Sequence, residues 1–162
     1  MFWKEQGMKL GVVLYLLVCF TGSLWLMGLI KSGMLVEIAG VRVADTETYL
    51  YCGLAGAVGG CLYAMRLFHD FYDKLMGRWV LWYLMRPIKC AGAAVMTVVL
   101  FESGIMLLQP TNSLEAKIGI AFLVGFGYGK VMDKLKALTE TLFNGKNEPS
   151  PPGGGDETPR AK

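Results

Sequence analysis

The sequence has little charge for its length. Charged residues make up 18% of the 162 residues, whereas soluble globular proteins carry about 25%. The formal net charge of +3 is too mild for a nucleic-acid-binding protein, which would show a strongly basic face or stripe. We therefore expect neither a soluble globule nor a nucleic-acid partner.

Side chains that could bind a metal or carry out catalysis are scarce as well. The chain has one histidine, His69, and its four cysteines lie far apart without a CxxC pair. This spacing argues against a zinc site. The sequence also lacks an HExxH motif and a glycine loop that would hold a phosphate. We expect no enzyme and no cofactor, and we interpret the cysteines as small apolar residues inside helices.

Apolar stretches are what the chain has in quantity. Hydrophobic residues make up 54% of it, and 21 residues are glycine. About 20 apolar residues span a bilayer, and we place spans at residues 10–30, 49–67, 88–108 and 114–132. A helix over 130–143 and a disordered Pro/Gly-rich tail over 144–162 follow. The predicted fold class is all-α, a four-helix transmembrane bundle over residues 1–143 with helices extending into the cytoplasm.

The connections between these spans contain recognisable start and stop signals. "VEIAGVRV" alternates around Gly40 and predicts a short hairpin. Asp45 or Thr46 could cap the second helix. Pro87 should break the long helical stretch that starts at residue 78, or open a new helix at its first turn.

The fourth span gives the weakest signal. Asn112 or Ser113 could cap it, and the segment reads as continuous helix towards Lys130. Because Lys117 and Lys130 lie close to each other along it, both side chains must reach towards the headgroups for the helix to cross. A short re-entrant helix is the alternative.

The distribution of basic residues predicts the orientation. With four spans, only Lys31, Arg42 and Lys117 of the 16 Lys and Arg residues lie on one side of the membrane. An excess of Lys and Arg marks the cytoplasmic side. Both termini are therefore predicted in the cytoplasm of an inner (plasma) membrane protein. Three spans would place the termini on opposite sides and remove this asymmetry.

Small residues form strips along two of the predicted spans. Glycine in a soluble helix costs about 1 kcal/mol relative to alanine, but in lipid small residues let helices approach closely. These strips could pack within one chain or join several chains, and we expect self-association. The helix-packing residues are Gly53, Gly56, Ala57, Gly60 and Ala64 on the second span, and Gly125 and Gly129 on the fourth.

Among the ionisable residues inside the predicted spans, Glu102 is the strongest candidate. Such a residue is a functional candidate by default. It could line a water path, bind a cation or accept a proton. Alternatively, it could be hydrogen-bonded to Ser23, Thr21 or Tyr51 at a similar depth, or reach the nearby surface. We name Glu102, Ser23 and Tyr51 as a candidate polar pore or packing site.

Basic and aromatic residues alternate around the third span's start. Such mixtures prefer the headgroup region and attract anionic lipid at about 1 kcal/mol per charge, although the same residues also determine topology. We define this predicted basic collar as Arg66, Lys74, Arg78, Trp79, Trp82, Arg86 and Lys89.

Two stretches carry a resemblance to known proteins. "MRPIKCAGAAV" and "GIAFLVGFGYGKVMDKLKALTETLF" are similar to segments of small uncharacterised prokaryotic four-span integral membrane proteins, in which Arg-Pro opens one span and a glycine-containing last span runs into a terminal helix. The resemblance covers the second half of the chain. It implies a topology and no catalytic residues.

These observations favour a non-enzymatic membrane protein that self-associates. The first hypothesis is a homo-oligomer of channel or pore type, with Glu102 at its outer mouth. The second is a membrane anchor or scaffold that recruits a soluble cytoplasmic partner. The third is a small subunit of a transporter or membrane complex.

Overall fold

The chain folds into five helices and one short hairpin within the residues described by the computed structural model, which are 2–38, 40–70, 80–104 and 113–144. This confirms the all-α class at the level of helix content. The predicted tail lies outside the described residues except for Asn144. The elements are α1 (Phe2–Lys31), β1 (Glu37–Ile38), β2 (Val41–Arg42), α2 (Val43–Asp70), α3 (Val80–Glu102), α4 (Leu114–Phe126) and α5 (Tyr128–Asn144).

Three of the helices are long and apolar enough to cross a membrane. They are Gln6–Lys31, Val43–Asp70 and Val80–Glu102, with mean hydropathies of 2.1, 1.3 and 1.6. Along α1, Leu10 and Trp25 are 71% and 68% exposed. A helix with apolar residues on its exposed sides is typical of a membrane span. The chain is therefore a membrane protein with three candidate spans.

Helix α2 lies at the centre of the bundle and packs against α1, α3 and α4. The middle of the core consists mainly of small side chains from three helices. They are Cys52 and Ala55 of α2, Ala94 and Val98 of α3, and Ala121 and Val124 of α4. Small side chains allow the helix backbones to approach closely, so packing between backbones holds this region together.

The predicted hairpin is present. Glu37 pairs with Arg42 and Ile38 with Val41 in antiparallel register, and Gly40 takes the positive φ of 84° that favours glycine in such a turn. The predicted cap at Asp45 or Thr46 is wrong, because α2 begins at Val43 directly after the hairpin. The amide of Val43 donates to the Val36 carbonyl at 3.0 Å.

Pro87 does not break the third helix, contrary to the prediction. Helix α3 begins at Val80, passes through Pro87 and ends at Glu102. Proline has no N–H for the Tyr83 carbonyl four residues earlier. The Tyr15 hydroxyl of α1 donates to the adjacent carbonyl of Leu84 at 3.1 Å. This hydrogen bond between helices lies beside the Tyr83 carbonyl and does not replace the bond that Pro87 removes.

The predicted fourth span is interrupted. Ser113 caps α4 as expected, and its hydroxyl oxygen accepts a hydrogen bond from the Ala116 amide at 3.3 Å. Helix α4 then ends at Phe126, and Gly127 separates it from α5. The Gly127 amide still donates to the Leu123 carbonyl at 2.8 Å. The continuous helix expected towards Lys130 is therefore two helices joined through one glycine.

Candidate functional site

The glycines of α2 and α4 meet where these helices cross. A Cβ added to Gly125 would overlap the Gly56 carbonyl oxygen and would lie 2.8 Å from the Gly56 Cα. A Cβ added to Gly59 would overlap the Phe122 carbonyl oxygen. Only glycine permits this separation of the two backbones. Gly59 was not among the predicted packing residues, although it lies three positions from Gly56 and therefore on the same side of the helix.

The other side of α2 packs against α3. A Cβ at Gly56 would overlap that of Ala94, and a Cβ at Gly60 would lie 2.7 Å from the Cys90 Sγ. A Cβ at Gly53 would make ordinary contact with Val95 at 3.4 Å. The second helix thus uses glycine on two sides, one for each neighbour.

Three predicted packing residues have other surroundings. Ala64 is fully buried in a cluster with Leu16 of α1 and Tyr83 of α3. Ala57 is half-buried, and Gly129 is exposed with no atom within 4 Å of an added Cβ. The close glycine contacts of the second span are therefore made with helices of the same chain.

Glu102 is the last residue of α3 and of the candidate span Val80–Glu102, whereas the predicted third span continued to residue 108. Its carboxylate accepts a hydrogen bond from the Lys117 ammonium at 2.7 Å, and the Tyr49 hydroxyl lies 3.5 Å away. The two side chains of the ion pair are 32% and 18% exposed. The pair connects α3 to the first turn of α4 at one end of the bundle.

Ser23 and Tyr51 do not join Glu102 in a polar site. The Ser23 hydroxyl donates to the Cys19 carbonyl of its own helix at 2.7 Å. Tyr51 is buried in a cluster with Ile30 and Val43. Among the described residues, neither side chain hydrogen-bonds to the Glu102 carboxylate.

Arg86, which was predicted as part of the basic collar, lies at the opposite end of the bundle in an aromatic cage that was not predicted. It is a charged residue of α3 that is only 8% exposed. Its guanidinium lies 4.2 Å from the ring centroid of Tyr63 and 4.5 Å from that of Trp82. The Tyr128 ring is 5.9 Å away. Three helices, α2, α3 and α5, therefore surround this cation with aromatic faces.

The guanidinium lacks a counter-charge in the described part of the chain. Arg86 forms no ion pair there, and its buried Nε–H has no hydrogen-bond acceptor. Burying an ion costs several kcal/mol, whereas each cation–π contact contributes about 0.5–2 kcal/mol. The aromatic rings therefore offset only part of the cost of burying the charge.

A small open cavity adjoins Arg86. Its volume is about 50 Å³, larger than the roughly 10–15 Å³ that can hold one water molecule, and it is lined by Trp82, Arg86, Lys89, Cys90 and Tyr128. We call these five residues the Arg86 pocket. Lys89 is exposed and, like Arg86, has no ion-pair partner among the described residues. The cavity thus has two cationic groups at its edge.

The basic collar separates into different environments. Arg66 is exposed on α2, whereas Trp82 is half-buried beside Arg86. Lys74, Arg78 and Trp79 lie outside the described residues. One signal could have identified the pocket: Trp82 and Arg86 are four residues apart and therefore neighbours on one helix face. The contribution of Tyr63 and Tyr128 depends on tertiary packing.

In the described ranges, no group of three His, Cys, Asp or Glu side chains could hold a metal ion.

Comparison of the chain with protein-family models, with curated proteins and with solved structures finds no match. The resemblance to small prokaryotic four-span proteins stays a prediction.

Proposed function

We propose that the chain is a membrane anchor that crosses an inner membrane four times and presents α5 to a soluble cytoplasmic partner. In this proposal both termini lie in the cytoplasm. The single observation that carries it is the exposure of α5, an amphipathic helix that leaves the bundle through a one-residue connection.

The contacts at both ends of the bundle support a crossing by the fourth segment. Its Lys117 pairs with Glu102 at the end of α3, and Tyr128 lies beside Arg86 near the start of α3. The segment from 117 to 128 therefore reaches from one end of α3's apolar stretch towards the other. Long Lys and Arg side chains can extend to the headgroups on each side.

The surface of α5 has the pattern of a helix that binds in a groove. Leu135, Leu138 and Leu142 follow i, i+3 and i+7 spacing, which is the spacing of anchors in such helices. Leu142 is 61% exposed and Phe143 is 82% exposed. Val131 packs against the bundle core, so the helix is fixed at its start and accessible beyond it. The expected partner carries an apolar groove rimmed by charged residues.

The two features that suggested a channel have other roles in the fold. Glu102 pairs with Lys117, and Gly56 packs against Ala94 and Gly125 of the same chain. The scaffold hypothesis keeps its motivating feature, the exposed helix. Self-association and membership of a larger complex are compatible with this role.

Partner recruitment is tested by purifying the full chain from its native membranes and quantifying the proteins that remain bound. We expect Leu138→Ser combined with Leu142→Ser to remove a stoichiometric soluble partner. Lys136→Ser is the matched control, since it changes an exposed polar residue of the same helix. Equal partner recovery in all three samples would contradict the proposal.

Ion flux into liposomes distinguishes the channel hypothesis. An anchor gives background flux for wild type and for Glu102→Ala alike. Flux above background that disappears in Glu102→Ala would favour the homo-oligomeric channel.

Topology is tested with reporter domains fused to each end. Four crossings place both reporters in the cytoplasm. Opposite locations would show that α4 does not cross, and would put α5 on the wrong side for a cytoplasmic partner.

A further inference from the structure

We propose that the Arg86 pocket binds one phosphate-bearing anion, the headgroup of an anionic lipid or a soluble phosphate of similar size. The site is separate from the exposed face of α5, and its occupancy does not depend on the anchor function.

The pocket has the chemistry of an anion site on three independent grounds. First, the Arg86 Nε–H is buried, and it has no acceptor among the described residues. Second, Arg86 lines a cavity of about 50 Å³. Third, Lys89 lies on the same cavity and is exposed, so a second cation can approach a bound anion from the solvent or headgroup side.

The depth of the pocket fits a lipid headgroup. Arg86 lies six residues after Val80, the first residue of the candidate span Val80–Glu102, or about 9 Å along a helix that rises 1.5 Å per residue. This places the guanidinium close to one end of the candidate span, where phosphates of the bilayer lie. Trp82 and Tyr128 add aromatic surface, which is favoured at this depth.

The neighbouring side chains also explain why the anion should bind at Arg86 in preference to another arginine at the same end of the bundle. Arg86 is held between the rings of Tyr63 and Trp82, so its planar guanidinium is fixed before the ligand arrives. A fixed guanidinium binds phosphate through paired N–H donors, whereas a lysine acts as a point charge. Arg66, which is exposed at the same end of the bundle, lacks such a cage among the described residues.

Lipid titration of the detergent-solubilised full chain, followed by native mass spectrometry, tests this site. The probes are phosphatidylglycerol, phosphatidylcholine and inorganic phosphate. We expect one phosphatidylglycerol to bind more tightly than phosphatidylcholine. Since a charge-assisted hydrogen bond is lost, Arg86→Gln should weaken this binding about tenfold or more, and Lys89→Gln should weaken it a few-fold.

Arg66→Gln is the matched control, because it removes the same charge from the same end of the bundle outside the pocket. Arg86→Gln changes a buried side chain and therefore also alters packing. Lys89→Gln changes an exposed side chain, so weaker binding in that variant reports on the pocket and not on misfolding. Protection by inorganic phosphate with equal binding of the two lipids would assign the site to a soluble anion. Equal losses for Arg66→Gln, Arg86→Gln and Lys89→Gln, or no binding of any probe, would overturn the proposal.

Discussion

Replacing Gly125 by alanine should destabilise the bundle, because this residue sets the separation of α2 and α4. The added Cβ would overlap the Gly56 carbonyl oxygen and lie 2.7 Å from its carbonyl carbon. Both groups belong to helix backbones, so no side chain can rotate away. The helices must separate by roughly 1 Å, which forfeits a quarter to a half of the dispersion attraction at each contact.

The magnitude follows from comparison with Gly119→Ala in the same helix. An added Cβ at Gly119 meets nothing within 4 Å. Replacing glycine by alanine favours the helix by a similar amount at both positions, up to about 1 kcal/mol. This contribution cancels when the free energies of unfolding of the two variants are compared. What remains is the overpacking at Gly125, for which we expect about 1–3 kcal/mol.

The measurement is reversible unfolding in mixed micelles with increasing SDS, followed by far-UV circular dichroism. Gly125→Ala should unfold at a lower SDS fraction than wild type, and Gly119→Ala at the same or a higher fraction. If the two variants unfold at the same SDS fraction, the close contact of Gly125 with Gly56 does not set the separation of α2 and α4.

Two further predictions concern polar contacts between helices. Tyr15→Phe removes the donor to the Leu84 carbonyl, and the same assay should show a free energy of unfolding lower by about 0.5–1.5 kcal/mol. Tyr49→Phe should lower it less, because the Tyr49 hydroxyl is 3.5 Å from its acceptor. The reverse order would contradict the role assigned to Tyr15. In a double-mutant cycle with Glu102→Gln and Lys117→Gln, we expect a coupling energy of about 1 kcal/mol that falls with added salt; strictly additive effects would show that the pair contributes nothing.

The sequence predicted what depends on local pattern. The hairpin around Gly40 follows from alternation on either side of a turn residue, and the Ser113 cap follows from its place before an apolar run. The spacing of small residues also placed Gly56 and Gly60 on the packing side of the second span, but it did not include Gly59. Each of these features can be read from a few consecutive residues.

Features that depend on distant residues could not be read in this way. Pro87 was expected to break a helix because of its local preference, but α3 continues through it while packed against α2 and α4. Glu102 was expected well before the end of its helix, because that end and the partner Lys117 are set by tertiary packing. The aromatic cage of Arg86 combines residues from three helices, and only Trp82 is close to it in the chain.

The central position of α2 has a consequence for how the protein is made. Its Gly59 surface fits against α4, yet residues 71–126 are still unsynthesised when α2 is complete. At roughly 5–20 residues per second, this surface waits roughly 3–11 seconds for the segment that covers it. During that interval the nascent chain offers a bare glycine groove to lipid or to the insertion machinery. A chain that ends before α4 would leave the Gly59 surface of α2 without its partner helix. Quality-control proteases should therefore remove such a product faster than the complete chain.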